Sequence, residues 1–490
     1  MGAVTRVQVR RQVYADSVAL MQVTTAISDL PGVESAAVAM ATELNREVLA
    51  AAGLLVGEAA TAGPNDLVIA VRAASEAQAD AALARAEALL AERRREATGV
   101  AQEPLPRSVR SAARRLGEGA NLALISVPGL YAAGEAWQAL LQGLHVFLFS
   151  DNVPLADEVA LKRHAREHDL LVMGPDCGTA IINGVGLGFA NVVRRGRIGL
   201  VGASGSGMQE VAVLLHRLGE GISQAIGTGG RDLYEQVGGI TTLQGLALLR
   251  DDPQTEAIVI VSKPPAPAVA EWVLGAAAET GKPVIACLLG LTAEPPRGVQ
   301  AARSLDEAAR LAVAARGGRV AVGEEESDTP WPRLRPDQCE VRGLYCGGTL
   351  RDEARLALGD VSQRLIDFGD DQYTQGRAHP MIDPTLRNQA LLAAADDPRV
   401  AVVLLDVILG YGAHPDPAAD LAPLLRQARE RAAAAGRELP VFVHVAGTDL
   451  DPQGLERQEE ALRAAGATLF ASNHRAAVAA RRLVEARAGT

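Results

Sequence analysis

Residues 197–239, RIGLVGASGSGMQEVAVLLHRLGEGISQAIGTGGRDLYEQVGG, constrain the fold of this chain more tightly than any other stretch. The apolar run 198–201 predicts a buried parallel strand that ends in a glycine–serine loop, 202–207. A helix follows, because Met208, Val211, Leu214, Leu215 and Leu218 recur at three- and four-residue spacings. A second short strand ends in another glycine turn, 227–230. Glycine lets backbone N–H groups approach a ligand closely, and the first turn of a helix carries unpaired donors and a positive partial charge. Gly202, Ser204, Gly205, Ser206, Gly207, Gly229 and Gly230 are therefore candidate anion-binding residues at the carboxyl ends of adjacent strands.

The loop departs from two familiar phosphate motifs. A P-loop needs Lys and Ser/Thr after its last glycine, where this chain has Met208 and Gln209. In a dinucleotide fingerprint a third small residue belongs where Glu210 stands. The competing reading is a tight strand-to-helix turn without a ligand; Ser204, Ser206 and the second glycine turn favour binding.

From 121 to 191 strands and helices alternate in a doubly wound pattern. Its strands end in Val127-Pro128-Gly129, Ser150-Asp151-Asn152 and Gly174-Pro175-Asp176-Cys177, and ligands of open α/β sheets gather at such ends. Asn152 and Cys177 join the candidates, although Cys177 also reads as a small buried residue filling a turn. Two later regions echo one another in order: the block from 198 parallels that from 342, 251 parallels 396, and 282 parallels 439. This pattern predicts a duplication and puts Gly347 and Gly348 in the place of the first glycine loop.

The expected organisation is a small N-terminal α/β domain (1–95), a Rossmann-like domain (116–192) and two flavodoxin-like domains (196–316 and 341–487). In the first, strands 4–10, 34–41 and 66–72 alternate with helices 17–30, 45–52 and 76–94 without a catalytic constellation, which points to an interaction or scaffold role. Residues 93–115, and 317–342 with Trp331, read as linkers.

A polar, proline-flanked loop after the expected strand 364–368 carries His379 with Asp370, Asp371, Asp383 and Arg387. Such a set suits acid–base work or a carboxylate substrate. The bland alternative is a hydrogen-bonded turn that orients helix 385–394. His145, His164, His168 and His216 fall in helical or strand patterns and are given core or surface roles, while His414 is a weaker loop candidate. The net charge of −11 argues against nucleic acid or an anionic membrane surface as partner. No 18-residue apolar run occurs, the start VTRVQVRR reads as an alternating charged strand rather than an apolar leader, and the four scattered cysteines form no C-x-x-C pair and no disulfide framework. A cytoplasmic enzyme or enzyme subunit is expected, built with Ala, Val, Leu and Gly because only 3% of its residues are aromatic.

Several of these motifs have a family likeness. GPDCG at 174–178, GRIGLVGASGSG at 196–207, GTGGRD at 227–232 and DDPQTEAIVIV at 251–261 resemble the alpha subunit of succinyl-CoA synthetase, a CoA-binding domain followed by a ligase domain. Residues 343–483 are similar to the ligase domain of that enzyme's beta subunit. With AHPMIDPTLRNQ at 378–389, the whole chain is identified as a member of the FdrA family of acyl-CoA-synthetase-like proteins. The resemblance implies a component of an oxamate carbamoyltransferase in allantoin and purine catabolism, converting oxalurate and phosphate to oxamate and carbamoyl phosphate. It implies a small anionic ureido or acyl carboxylate substrate, phosphate as co-substrate, coenzyme A as a further candidate ligand, and partner subunits encoded nearby.

The departures from the synthetase pattern favour transfer over ligation. The synthetase carries a phosphohistidine in a Gly-His-Ala-Gly-Ala loop; residues 289–302 here read LGLTAEPPRGVQAA, and none of Thr292, Glu294 or Arg297 replaces that nucleophile. No segment resembles an ATP-grasp domain. Two alternatives stand: an acyl-CoA ligase subunit with a nucleotide-binding partner, and a non-catalytic scaffold.

Overall fold

The computed structural model describes residues 3–13, 17–98, 106–291, 293–318, 334–374 and 377–488. Thr292, Trp331 and the central parts of both expected linkers lie outside them. The chain divides into two units, Met1–Leu105 with Gln375–Ala378, and Pro106–Thr374 with His379–Thr490.

In the first unit β1 (Val4–Arg10), α1 (Ser17–Ser28), β2 (Val33–Met40), α2 (Glu43–Ala51), β3 (Leu67–Ala73) and α3 (Glu76–Thr98) follow in order. The sheet runs β1-β3-β2 and is antiparallel throughout. Alternation along central β3 sends Leu67, Ile69 and Val71 into one apolar cluster with Leu20, Val23 and Ile27, and Val68 and Ala70 into another with Leu49 and Leu54. Every strand and helix read from the sequence here is present.

The second unit opens with α4 (Val109–Leu116), β4 (Leu122–Ile125), α5 (Gly129–Leu140), β5 (His145–Leu148), α6 (Leu155–Glu167) and β6 (Val172–Met173), giving a three-stranded parallel sheet. A hairpin, β7 (Thr179–Ile182) and β8 (Val185–Gly188), leaves this sheet and pairs antiparallel with the next one through Ile181 and Ala225. That next sheet is built from β9 (Arg195–Ala203), α7 (Gly205–Arg217), β10 (Ile222–Gly227), α8 (Ile240–Asp251), β11 (Ala257–Ser262), α9 (Pro267–Ala278), β12 (Val284–Leu288), β13 (Val299–Ala301) and α10 (Leu305–Ala315). A third sheet follows from β14 (Glu340–Tyr345), α11 (Gly348–Leu358), β15 (Gln363–Asp367), α12 (Asp371–Thr374), α13 (Thr385–Asp396), β16 (Val400–Ile408), α14 (Pro417–Ala434), β17 (Val441–Ala446), α15 (Leu455–Ala464), β18 (Thr468–Phe470) and α16 (Asn473–Ala488).

The duplication is realised in the topology. The parallel strands run β13-β12-β11-β9-β10 in one sheet and β15-β14-β16-β17-β18 in the other. Numbered within each copy, both are 2-1-3-4-5, the flavodoxin-like order, with the first strand at the switch point where ligands bind. The copies share one core: Leu200, Val211 and Leu215 of the first lie in the same apolar cluster as Tyr345, Leu350 and Ala477 of the second.

Buried polar pairs lock that seam. Glu210, the residue that breaks the dinucleotide fingerprint, lies on α7 with its Oε2 2.6 Å from His444 Nε2 on β17, both side chains fully buried. Burial alone would lower the imidazole's pKa, but the Glu210 carboxylate overrides it and the net shift is upward. The Leu305 N–H donates to Glu353 Oε1 at 2.7 Å, and Asn191 donates to Asp451 Oδ2 at 2.9 Å. Removing one partner of a buried ion pair leaves an uncompensated charge. Glu210→Ala is therefore expected to cost roughly 3–5 kcal/mol in urea unfolding. The double change Glu210→Met with His444→Leu should recover most of that loss; equal losses in the single and double variants would refute the pairing.

Candidate functional site

The two glycine loops meet across the seam. Ser204 caps α7 by accepting the Gly207 N–H at 3.0 Å, and its Oγ lies 2.7 Å from Thr349 Oγ1 in the first turn of α11. A side chain on Gly207 would strike Thr349 Cγ2 at 2.9 Å, and one on Gly347 would strike Ser206 Cβ at 2.7 Å. Glycine at 207 and 347 thus lets two helix N-termini stand side by side. Gly202 serves the same end from below, since a Cβ there would enter the neighbouring backbone of Val261.

Each loop is braced from behind. Asp406, fully buried on β16, accepts the Cys346 and Gly347 N–H groups at 2.7 and 2.8 Å. Arg387 donates to the Asp406 carbonyl oxygen at 2.7 Å and lies 3.1 Å from Cys346 Sγ. The other turn, carrying Gly229 and Gly230, is held by Asp232, which accepts the Thr242 N–H at 2.8 Å and pairs with fully buried Lys162 at 2.7 Å.

Above these loops the carboxyl ends of all three sheets contribute charge to one crevice. Lys263 follows β11, and its Nζ lies 2.9 Å from where a Cβ on Gly348 would stand. Its carbonyl oxygen accepts from Ser262 Oγ at 2.7 Å, but among the described residues its ammonium has no hydrogen-bond or ion-pair partner. Asp367 ends β15, close against Gly348, and accepts the Gly369 N–H at 2.9 Å. Burial pushes its carboxyl up to about 6, partly opposed by Lys263. Asp176 follows β6 in the left-handed region at φ 54°, its carboxylate beside Gly230. It still meets solvent, yet the surrounding protein pushes it up to about 7, with Lys263 the strongest opposing charge and Asp371 and Asp151 adding to the rise. Asp371 is raised as well, by burial first and by Asp151 next.

His379 lies near Gly369, with its Nε2 2.7 Å from where a Cβ on that glycine would stand, and its ring centroid is 5.1 Å from that of Phe189. Its Nδ1 accepts the Met381 N–H at 3.2 Å, so the neutral ring carries its proton on Nε2. Burial pushes the imidazole down to about 4. At neutral pH it is an uncharged donor, suited to a developing oxyanion rather than to taking a proton.

Three expectations are corrected by these contacts, and of the two readings of Cys177 the buried turn-filler is the one found. Arg387 is buried with its donors committed to the chain, so it positions the loop at 346–348 instead of clamping a substrate carboxylate. Asp383 receives the Thr385 N–H at 3.1 Å and the Thr385 hydroxyl, closing the turn that starts α13. Cys177 is buried, with its thiol pushed up to about 12, and fills a turn beside Gly227; it is no nucleophile at neutral pH. Ser204 spends its hydroxyl on the cap and on Thr349. Gly205, Ser206 and Gly348 sit in the first turns of α7 and α11, Asn152 is exposed at φ 54°, and Asp371 lines the rim. Sequence reasoning passed over Lys263 and Asp367 and named Asp176 only as part of a strand-end turn, although each stands at the end of a parallel strand. Among the described residues no three His, Cys, Asp or Glu side chains are grouped to hold a metal ion, and no helix is long and apolar enough to cross a membrane.

The three-sheet architecture with glycine loops at its switch points defines an acyl-CoA-synthetase-like protein, and comparison with known proteins agrees. Family models match for the AllF heavy metal-associated domain over residues 3–106, the CoA binding domain over 193–290 and the CoA-ligase over 344–483. The first 105 residues hold neither cysteine nor histidine, so that match carries no thiolate or imidazole metal ligand. The uncharacterized protein YahF of Escherichia coli is 44% identical over 98% of both chains. The succinate–CoA ligase alpha subunit of Aquifex aeolicus is 32% identical over 36% of this chain and 59% of its own length. The malate–CoA ligase alpha subunit of Methylorubrum extorquens is 30% identical over 40% and 66%. A dinucleotide-forming acetyl-coenzyme A synthetase from Ca. Korarchaeum cryptofilum aligns in structure with 17% identity and a TM-score of 0.35, covering 80% of this chain and 88% of that one. The chain belongs to the FdrA family.

Two outcomes test the crevice. Gly348→Ala should keep or slightly raise the melting temperature, since alanine favours helix over glycine by about 1 kcal/mol. The added Cβ displaces the tips of Asp367 and Lys263, however, so the stabilisation that millimolar phosphate gives the wild type by mass action should disappear. An unchanged phosphate response would refute the placement. The second outcome follows from a carboxyl whose folded pKa is raised: the native state holds the extra proton, so stability falls as pH rises from the unfolded value, about 4, through about 6. Asp367→Asn should therefore be more stable than wild type at pH 8, with the advantage fading below pH 4.

Proposed function

We propose that this chain is a subunit of an oxamate-type carbamoyltransferase, acting on a small anionic ureido acid and phosphate to release an amide and carbamoyl phosphate. The observation that carries the reading is the composition of the crevice. It offers donors for anionic oxygens, namely Lys263, the free N–H groups that begin α7 and α11, and neutral His379. It also offers acceptors for amide N–H groups in Asp176, Asp367 and Asp371. A plain dicarboxylate uses only the first set, whereas a ureido acid uses both. The side chains nearest the loops are poor nucleophiles: burial raises the thiols of Cys177 and Cys346, and His379 has its free nitrogen protonated. Direct attack of phosphate on a carbamoyl carbon needs no covalent carrier, only positioning and donors at the tetrahedral oxyanion.

An acyl-CoA ligase subunit is the second reading, favoured by the CoA-ligase and CoA binding matches and the alpha-subunit relatives. Under it, coenzyme A is a ligand and the nucleotide site lies on a partner subunit. The two separate in one assay with the chain and the proteins encoded beside it. Oxalurate and phosphate should give carbamoyl phosphate without nucleotide or coenzyme A, and labelled nucleoside triphosphate should leave no acid-labile phosphate on the chain. A phosphohistidine mapped to this chain would overturn the transferase reading.

A further inference from the structure

The crevice contains an opposed pair of charges that the protein leaves unsatisfied. Lys263 and Asp176 feel one another as the strongest opposite charge on that carboxylate, yet they form no ion pair. Most other charges of the neighbourhood are spoken for, the exception being exposed Asp371 at the rim. Arg231 binds Glu158 at 2.9 Å and the Val153 carbonyl oxygen at 2.8 Å, Lys162 bonds Glu158 and Asp232, and Asp151 accepts from Thr374 at 3.2 Å. Asp176, by contrast, has no side-chain partner among the described residues, and neither has Lys263. Asp176 also sits at φ 54°, a backbone region that disfavours most side chains and that Asp and Asn tolerate best. Asp176 is an exposed non-glycine residue held there without a protein partner, and unpaired Lys263 is the strongest opposite charge acting on it, so the two leave room for something with its own charge and its own N–H.

We infer that Lys263 receives the anionic end of the substrate and that Asp176 delivers the proton to its leaving nitrogen, so the pair selects a molecule that is a carboxylate at one end and an amide at the other. This rests on the carbamoyl-transfer reading for the second role only. In the step, a phosphate oxygen forms a bond to the ureido carbonyl carbon, and the bond from that carbon to the acyl amide nitrogen breaks. The nitrogen takes the Asp176 proton and leaves as a neutral amide. The proton that entered on monohydrogen phosphate restores Asp176, so charge and protons balance without any other reactant. The carboxyl's elevated range, about 7, keeps a protonated fraction at neutral pH. Lys263 is the group that lowers it, so an anion settling on Lys263 weakens that pull and favours the protonated form.

The test uses the full chain in two arms. In the first, calorimetric titration with oxamate and with inorganic phosphate is run on wild type, Lys263→Met and Asp176→Asn. Loss of one charge-assisted contact predicts a fall of roughly ten- to a hundredfold in oxamate affinity for Lys263→Met. Asp176→Asn preserves the left-handed backbone and an acceptor oxygen, and its affinity should stay within about threefold of wild type. In the second arm, with the neighbouring proteins added, Asp176→Asn should lower kcat about a hundredfold or more with little change in KM. It should also abolish the decline of kcat that the Asp176 assignment predicts for the wild type as pH rises through about 7. Wild-type affinity in Lys263→Met, or no oxamate binding by the wild type, overturns the assignment of Lys263. An unaltered pH profile in stably folded Asp176→Asn overturns that of Asp176. A wild-type complex that binds oxamate through Lys263 but makes no carbamoyl phosphate overturns the transferase reading and the Asp176 role with it, while the anion site stands.

Discussion

The hydrogen bond between Ser204 and Thr349, 2.7 Å long, is the contact on which the architecture of the second unit turns. It joins the first turn of a helix in one copy of the repeat to the first turn of its counterpart in the other. Two helix N-termini repel as partial positive charges, so their approach needs compensation. Part comes from Asp406, whose carboxylate takes the Cys346 and Gly347 N–H groups. Part comes from Ser204 itself, which satisfies the Gly207 N–H. Further along α7 the Glu210–His444 pair, and beside it the Leu305 N–H donated to Glu353, fix the rotation of one copy against the other. The glycines at 207 and 347 are what permit the contact at all, because either would otherwise place a Cβ within 3 Å of the opposite loop.

With the helix ends fixed, the strand ends follow. Lys263, Asp367 and Asp176 close the same crevice from three different sheets, which is what a doubly wound fold repeated side by side provides at its switch points. The electrostatics of the crevice are then a balance. The surrounding protein drives Asp367 and Asp176 toward their neutral forms, and Lys263, its ammonium unpaired, is the strongest charge opposing both, with Arg351 and Arg231 adding to it. Any anion that occupies Lys263 alters both carboxyls at once. The neutral, donor-bearing His379 adds a hydrogen bond without adding charge.

The fold was largely legible because period and punctuation agree. The apolar run at 198–201 is a strand buried on both faces, and the glycine loop after it opens the helix that carries Met208, Val211, Leu214 and Leu215. The repeat was visible in three echoes and reappears as identical strand order. The site was legible only in part, since composition identifies a polar loop but not where its side chains point. Arg387 and Asp383 looked like substrate ligands and instead support a loop and begin a helix. Lys263 was overlooked because it sits in no motif; its meaning lies in the absence of a partner, which only the folded chain reveals. Glu210 looked like a defect in a nucleotide fingerprint and is half of the seam's buried ion pair.

The central claim is that ligand binds where the strand ends of the three sheets converge on the paired helix N-termini. Hydrogen–deuterium exchange followed by mass spectrometry, on the full chain with and without oxamate plus phosphate, measures this most directly. Slower exchange is predicted in peptides covering 203–208, 229–232, 262–264, 346–350 and 367–371, with the first unit unchanged. Protection confined to other peptides, or none at saturating ligand, would contradict the account.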